Sequence, residues 1–434
     1  MLRYISLFLI FATHLSAYSQ QFLHLQEAIQ KAKLHHKQLQ IMMLESDLAK
    51  ADIQKLKSAY LPQIQLTHQY MATNDPLNAF GFKLQQAAIQ TTDFAPDLLN
   101  NPEVNYHGQT KLSLQQSMFN YDQWSLKKAM QARLQTTYYQ QTRAEDKIQL
   151  EIKNAYTDLQ YLYAALEVSE KALLALAENE RVIQNFIVQG MAKKSELLSI
   201  QLELSNIKIQ VNKLHHSIEN LSNYIALFIG DPLTTKYQAT SILSLDTLSA
   251  LEMNLSERAD FKALQSVIES RTYNRKSVQH GFIPKLNVFG EFNFYDKNVI
   301  GFNQHAFLAG IQLQWNVFNG NGRSFETQKQ KIEIEKAKLE MDQVFDQARL
   351  EIIKVQSDWL NSKEDLHWSQ NSVLLAEENK RIITDRFKQG LEKTSDVLNA
   401  ETSLMEKNLK VLENISRHNK SIHQLEFLNA SVKK

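Results

Sequence analysis

The apolar positions of this chain follow two rhythms. Over most of its length they recur every three or four residues: Ala155, Leu159, Leu162, Leu166, Leu173 and Leu176 in one stretch, Met341, Val344, Ala348, Ile352, Val355 and Trp359 in another. That spacing paints one narrow stripe on an α-helix, a coiled-coil seam, and Glu, Lys and Gln fill the other faces. In four shorter stretches the period drops to two. Ile64, Leu66, His68 and Tyr70 alternate with Gln63, Gln65, Thr67 and Gln69; Leu112, Leu114 and Met118 alternate with Lys111, Ser113, Gln115 and Ser117. Leu286, Val288, Phe292 and Phe294 do the same against Lys285, Asn287, Glu291 and Asn293, as do Phe307, Ala309, Ile311, Leu313, Trp315 and Val317 against Gly310, Gln312, Gln314 and Asn316. These are strands with one apolar face, predicted at about 61–71, 108–119, 283–295 and 306–318.

The residues that break helices say how long the helices are. The 434-residue chain has 11 Gly and 6 Pro, and none falls in 121–189, 191–229, 323–389 or 391–434. A helix over 121–189 would be on the order of 100 Å long. Gly190 and Gly390 then interrupt two long segments, so each half of the chain holds an antiparallel helical hairpin.

The halves look like copies. Gln189-Gly190-Met191-Ala192-Lys193-Lys194-Ser195 matches Gln389-Gly390-Leu391-Glu392-Lys393-Thr394-Ser395. Leu61-Pro62-Gln63-Ile64 matches Ile283-Pro284-Lys285-Leu286, and Leu114 to Asn120 matches Leu313 to Asn319. Three landmarks in one order point to an internal duplication. From Pro62 to Phe119 is 57 residues, against 34 from Pro284 to Phe318, so the first half is longer between its two strands, where a surface loop tolerates insertion.

Ten residues of alternation is the length of a tilted strand across a bilayer, and Tyr70, Tyr106, Phe119, Trp315 and Phe318 suit its interfaces. A soluble four-stranded sheet packed on helices gives the same pattern. Four strands cannot close a membrane barrel, so a spanning sheet requires oligomerisation that leaves no edge unpaired.

Composition narrows the classes. No apolar run after the N-terminus reaches the ~18 residues of a membrane helix, and 48 basic against 47 acidic residues leave no footprint for nucleic acid. Cysteine is absent, which excludes disulfides, thiolate metal sites and thiol catalysis. Arg3, the apolar run 5–12 and Ser16-Ala17-Tyr18-Ser19 read as a signal peptide over 1–19, so export is expected. No nucleophile and base at recognisable spacing, phosphate loop or zinc motif appears, and no enzyme activity or cofactor is expected. His35-His36 and His215-His216 point to different helix faces and form no chelate. Met42-Met43 reads as packing.

From Leu23 to its end the chain resembles the TolC family of outer-membrane channel proteins. The resemblance rests on Leu25-Gln26-Glu27-Ala28-Ile29, on Ala59-Tyr60-Leu61-Pro62 and Gly281-Phe282-Ile283-Pro284, on Val317-Phe318-Asn319-Gly320, on Ile225 to Gly230, and on the tips Gly190 to Leu198 and Gly390 to Leu398. It implies a mainly α fold with a small β part: duplicated helical hairpins forming an α-barrel tunnel, and four transmembrane strands per chain in a 12-stranded barrel of a homotrimer. It also implies a repeat over 20–230, an equatorial linker at 231–257 and a second repeat over 258–434, with external loops at 72–107 and 296–305. Implied partners are a periplasmic adaptor and an inner-membrane RND or ABC transporter. The expected place is the outer membrane of a Gram-negative bacterium, lipid around the strands and a long part in the periplasm. The function implied is the passive exit duct of a tripartite efflux or type I secretion system; the competing reading is a soluble periplasmic coiled-coil scaffold or adaptor.

In this family the second hairpin tip often reads Gly, five residues, Asp-Val-Leu-Asp, whose aspartates ring the periplasmic entrance. Here Gly390 is followed by Asp396-Val397-Leu398-Asn399, so one carboxylate remains, with Glu196 at the matching place in the first hairpin. The candidate gate is Asp396, Asn399 and Glu196; the other reading of Asp396 and Glu196 is a carboxylate complementing a helix N-terminus. The family's tyrosine and arginine beside that glycine are replaced by Phe387 and Glu392. Gly190, Lys193, Ser195, Gly390, Lys393 and Ser395 are the candidate adaptor-facing positions, since a tight turn exposes backbone to a partner helix.

Overall fold

The computed structural model describes residues 20–248 and 254–429; the expected signal peptide, 1–19, lies outside them, as does part of the expected linker. Along the chain run β1 (Gln20–Leu23), α1 (Leu25–His35), α2 (Lys37–Ser58), β2 (Gln63–Thr73), α3 (Pro76–Gln85), α4 (Pro96–Asn100), β3 (Asn105–Phe119), α5 (Tyr121–Val188), α6 (Lys194–Ile229), β4 (Lys236–Ala239), α7 (Ala259–His280), β5 (Lys285–Asp296), β6 (Gln304–Gln314), α8 (Gly322–Lys388) and α9 (Thr394–Leu428). Helices α5 and α8 run 68 and 67 residues. They contain no interior Gly or Pro, which would cost about 1 or 3 kcal/mol each. Among the described residues no helix is long and apolar enough to cross a membrane.

The chain divides into two compact units. One spans 44–139 and 262–342 and holds an antiparallel sheet of order β2-β3-β5-β6. Its register puts Leu66, Leu112, Phe292 and Phe307 in one row, and Ile64, Leu114, Gly290 and Ala309 in the next. The opposite face carries Gln65, Ser113 and Glu291, then Thr67, Lys111 and Asn293. Polar partners pair along it: Lys111 with Glu291 at 3.2 Å, Gln109 with Asn293 at 2.9 Å. Phe289 on this face lies over Gly310, filling the space a side chain would take, and Leu308 stands opposite Glu291.

Three expectations need correction. Strand β6 stops at Gln314, so Trp315 and Val317 lie beyond the ladder. Opposite them the chain is at Pro284, which has no N–H to give, and Trp315 donates its Nε1 to Phe282 O instead, at 3.0 Å. The stretch 72–107 is no simple loop: it ends β2, begins β3 and carries α3, α4 and a 3-10 turn at Thr91–Phe94. The stretch 231–257 is more than a linker, because β4 pairs in parallel with β1, Gln20 opposite Lys236.

The other unit spans residues up to 43, 140–261 and 343 onward. Its largest apolar cluster joins Leu23, Ile29, Ile152, Leu159, Ile218 and Ile225 around Tyr237. Tyr237 is fully buried yet satisfied: its hydroxyl donates to Asp231 at 2.7 Å, and Asp231 also meets Lys31 at 3.3 Å. The C-terminal end of α9 is pinned by two arginines. Arg258 donates to Leu428 O and Asp260, and Arg143 donates to Phe427 O while lying over the Phe427 ring.

Three histidines of this unit make its stability pH-dependent. Burial pushes His36, His418 and His423 below the ordinary value of 6.5; for His423, Lys153 adds to the shift and Asp246, 3.2 Å away, opposes it. Below 6.5 the unfolded chain takes up protons that the folded chain refuses. The neutral histidines therefore cost nothing above that pH and destabilise the fold as pH falls, by up to about 1.4 kcal/mol per pH unit per group. The melting temperature should drop as the pH is taken below ~6.5. His418→Gln, which keeps a polar partner for Ser362 (3.0 Å from the ring), should flatten that fall; an unchanged slope would rule this histidine out as a contributor.

Candidate functional site

The two hairpin turns have the same geometry. Gly190 and Gly390 are left-handed, at φ 74° and 75°, where only glycine sits without strain. Each preceding helix ends in a Schellman motif: Met191 N donates to Phe186 O at 2.8 Å and Leu391 N to Arg386 O at 3.0 Å, with the glycine N–H groups bonded to Ile187 O and Phe387 O. Nothing lies within 4 Å of where a Cβ would stand on either glycine. Lys193 and Lys393 follow as extended N-caps of α6 and α9, and their carbonyls accept the N–H of Glu196 and Asp396, both at 3.0 Å. Both lysines, Ser195 and Ser395 are exposed.

The carboxylates differ in their engagement. Asp396 is half-buried and its Oδ2 accepts the Lys393 N–H at 3.1 Å, so it caps the first turn of α9. Asn399, one turn on, is exposed on the same face of the helix. Glu196 accepts a hydrogen bond from the buried Thr394 hydroxyl. That bond joins the tips of the two hairpins across 198 residues of sequence. Around it Leu176, Ile183, Ile200, Leu204, Leu398 and Met405 form one apolar cluster, flanked by Phe186 and Phe387 with ring centroids 6.2 Å apart. Phe387 thus packs where the resemblance places a polar lock residue, and Glu392 pairs with Arg386 of its own turn at 2.7 Å.

Two tip contacts escaped sequence reasoning. Thr394 sits unremarkably between Lys393 and Ser395, and only its place opposite Glu196 reveals it. Glu401 is nearly buried and meets Lys380 at 2.8 Å. Its spacing of four from Val397 and Met405, both in the seam, was the available signal. Among the described residues no group of three or more His, Asp or Glu is placed to hold a metal.

The sheet carries the second feature. Its apolar face is uncovered: Leu66 is 69% exposed, Phe307 79%, Ile311 71% and Leu313 68%. Strands β2 and β6 are both edges with no partner among the described residues. Aromatics gather at the two ends of the strands. Phe119, Tyr121 and Trp124 stack at the helix end, beside exposed Phe282, Trp315 and Phe318, and Tyr70 stacks on Tyr106 at the loop end.

The fold of the chain is similar to that of several solved outer-membrane proteins. VceC of Vibrio cholerae is similar at 18% identity with a TM-score of 0.76, over 94% of this chain and 97% of that one. CusC is similar at 14% and 0.80, over 96% of each chain, and CmeC of Campylobacter jejuni at 15% and 0.77, over 93% of this chain and 85% of that one. A comparison with curated proteins finds no match. The model of the outer membrane efflux protein family matches residues 250–426, in the second half of the chain.

Proposed function

We propose that three copies of this chain close one 12-stranded β-barrel in the outer membrane of a Gram-negative bacterium, continued by an α-helical tunnel in the periplasm. The duct conducts substrates passively, driven by an inner-membrane RND or ABC transporter and joined to it by a periplasmic adaptor at the hairpin tips. Residues 1–19 are removed on export, and the repeats 20–230 and 258–434 flank the 231–257 segment. What carries this reading is the sheet. One face is apolar and exposed, the other is mostly polar, and both edges are open among the described residues. An 11-residue strand tilted about 40° projects about 28 Å, close to the height of a barrel's lipid band. Exposed edges and apolar area of this kind are a hazard in water and a requirement in lipid. The test is extraction and conductance. The protein should need detergent, run as a trimer that heating dissociates, and give discrete conductance steps in planar bilayers; a detergent-free, non-conducting protein would return the soluble scaffold reading.

Within the duct, three Asp396 carboxylates around the axis would favour cations and bind divalent ions. Asp396→Asn and Asp396→Ala should both raise conductance and weaken divalent block. The Asn variant keeps an oxygen for the Lys393 N–H, whereas Ala also loses that hydrogen bond, worth about 1 kcal/mol. Unchanged conductance in both variants would leave Asp396 a cap and nothing more.

A further inference from the structure

Antiparallel neighbours need only two to five residues to turn, and β5 reaches β6 through residues 297–303. Between β2 and β3 stands a built structure instead. Asp75 caps α3 through the Asn78 N–H at 2.9 Å, with Pro76 in the first turn. Lys83 pairs with Asp93 at 2.8 Å, and Phe80 meets Phe94 edge to face at 5.7 Å, so α3 and the following 3-10 turn hold each other.

This structure is fastened to one face of the sheet. The Phe82 ring stacks on the His107 ring, centroids 4.0 Å apart and planes 7° from parallel. Asn105 donates to Ala79 O at 2.9 Å; Gln86 donates to Tyr106 O at 2.8 Å and lies 3.0 Å from His107 Nδ1. Ala79 and His107 are buried by these contacts. Asn105 and His107 share the parity of Gln109, Lys111, Ser113 and Gln115 along β3. Helix α3 therefore lies on the polar face, at the strand ends farthest from α5.

Resting on the channel reading above, the geometry points to α3 as a constriction of the duct's outer mouth that limits the size of solute able to pass. The magnitudes agree. A ring of twelve strands about 4.8 Å apart and tilted about 40° has a backbone diameter of roughly 24 Å. Three helices about 10 Å across fill roughly half of that cross-section.

The chain's lack of cysteine gives a clean test. Gln115→Cys places one thiol at an exposed position of the polar face, toward the helix end of β3. Intact cells are treated from outside with a small membrane-impermeant maleimide or with a maleimide on a bulky polyethylene glycol chain. With α3 in place the bulky reagent should label roughly tenfold more slowly than the small one, an access barrier of about 1.4 kcal/mol. Replacing 76–100 by Gly-Ser-Gly should close the gap; if that variant does not assemble, Phe82→Ala with Gln86→Ala should narrow it. Equal labelling with the segment intact, or a gap unchanged in trimers of either variant, overturns the constriction and leaves the channel. If the small reagent never reaches Gln115→Cys, even in the shortened variant, yet reaches Leu114→Cys on the opposite face, the channel reading itself falls and takes the constriction with it.

Discussion

Ile311→Arg will keep the chain out of the outer-membrane fraction, while Gln312→Arg, one residue along, will leave insertion intact. Ile311 lies on the apolar face of β6, two residues from the middle of the strand, and stands opposite Val288. It is 71% exposed in the chain, so on a water-facing sheet the substitution would fall within about 0.5 kcal/mol of neutral. Near the midplane of a lipid-facing barrel it costs about 2–4 kcal/mol in each chain. Even the lower figure depletes inserted protein roughly 30-fold. Gln312 pairs with Asn287 on the polar face, where arginine meets water in the proposed lumen. Membrane fractionation with immunoblotting reads both variants. Equal behaviour would mean the two faces see one solvent, which only the soluble reading allows.

How far the sequence reaches is set by the range of the interactions that define each part. The strands and long hairpins were legible because their signals are local. Period two marks β2, β3, β5 and β6, and an unbroken 3-4 repeat ending in glycine marks α5 and α8. Strand β1 was not legible: four residues are too few to show a period, and its pairing with β4 lies 216 residues away, Gln20 opposite Lys236. Helix α3 had a readable start in Asp75-Pro76, but its seat on the sheet depends on His107 and Asn105, which carry no local sign of it. At the tips the turns were visible from Gly190 and Gly390. The bond from Thr394 to Glu196 was not, because it joins two hairpins that meet only in the fold. Asp396 shows the same limit from the other side, since its cap is local and settled by geometry, while a ring of three is a property of an assembly.

The hairpin turns give the other large effect: Gly390→Pro will abolish efflux while trimers persist. Proline fixes φ near −65°, whereas the turn needs 75°, and it also deletes the N–H that Gly390 gives to Phe387 O. The turn must therefore refold, at a cost of about 3 kcal/mol or more. The packing of Leu176, Ile200, Leu204 and Leu398 and the Lys380 to Glu401 pair lie outside the turn and remain to hold the hairpins together. Loss of efflux alone does not separate a contact with the adaptor from local unravelling, and alanine does. A methyl group at Gly390 or Gly190 meets nothing within 4 Å, so its internal cost is only the left-handed backbone, about 1–2 kcal/mol. Gly320 supplies the matched control, with φ 66° and equally open space, in the turn between β6 and α8. If the tips are where the adaptor docks, Gly190→Ala and Gly390→Ala will lower resistance to exported compounds and Gly320→Ala, bearing the same strain, will not. Parallel losses in all three would assign the effect to backbone strain; no loss at the tips would move the docking surface elsewhere on the hairpins.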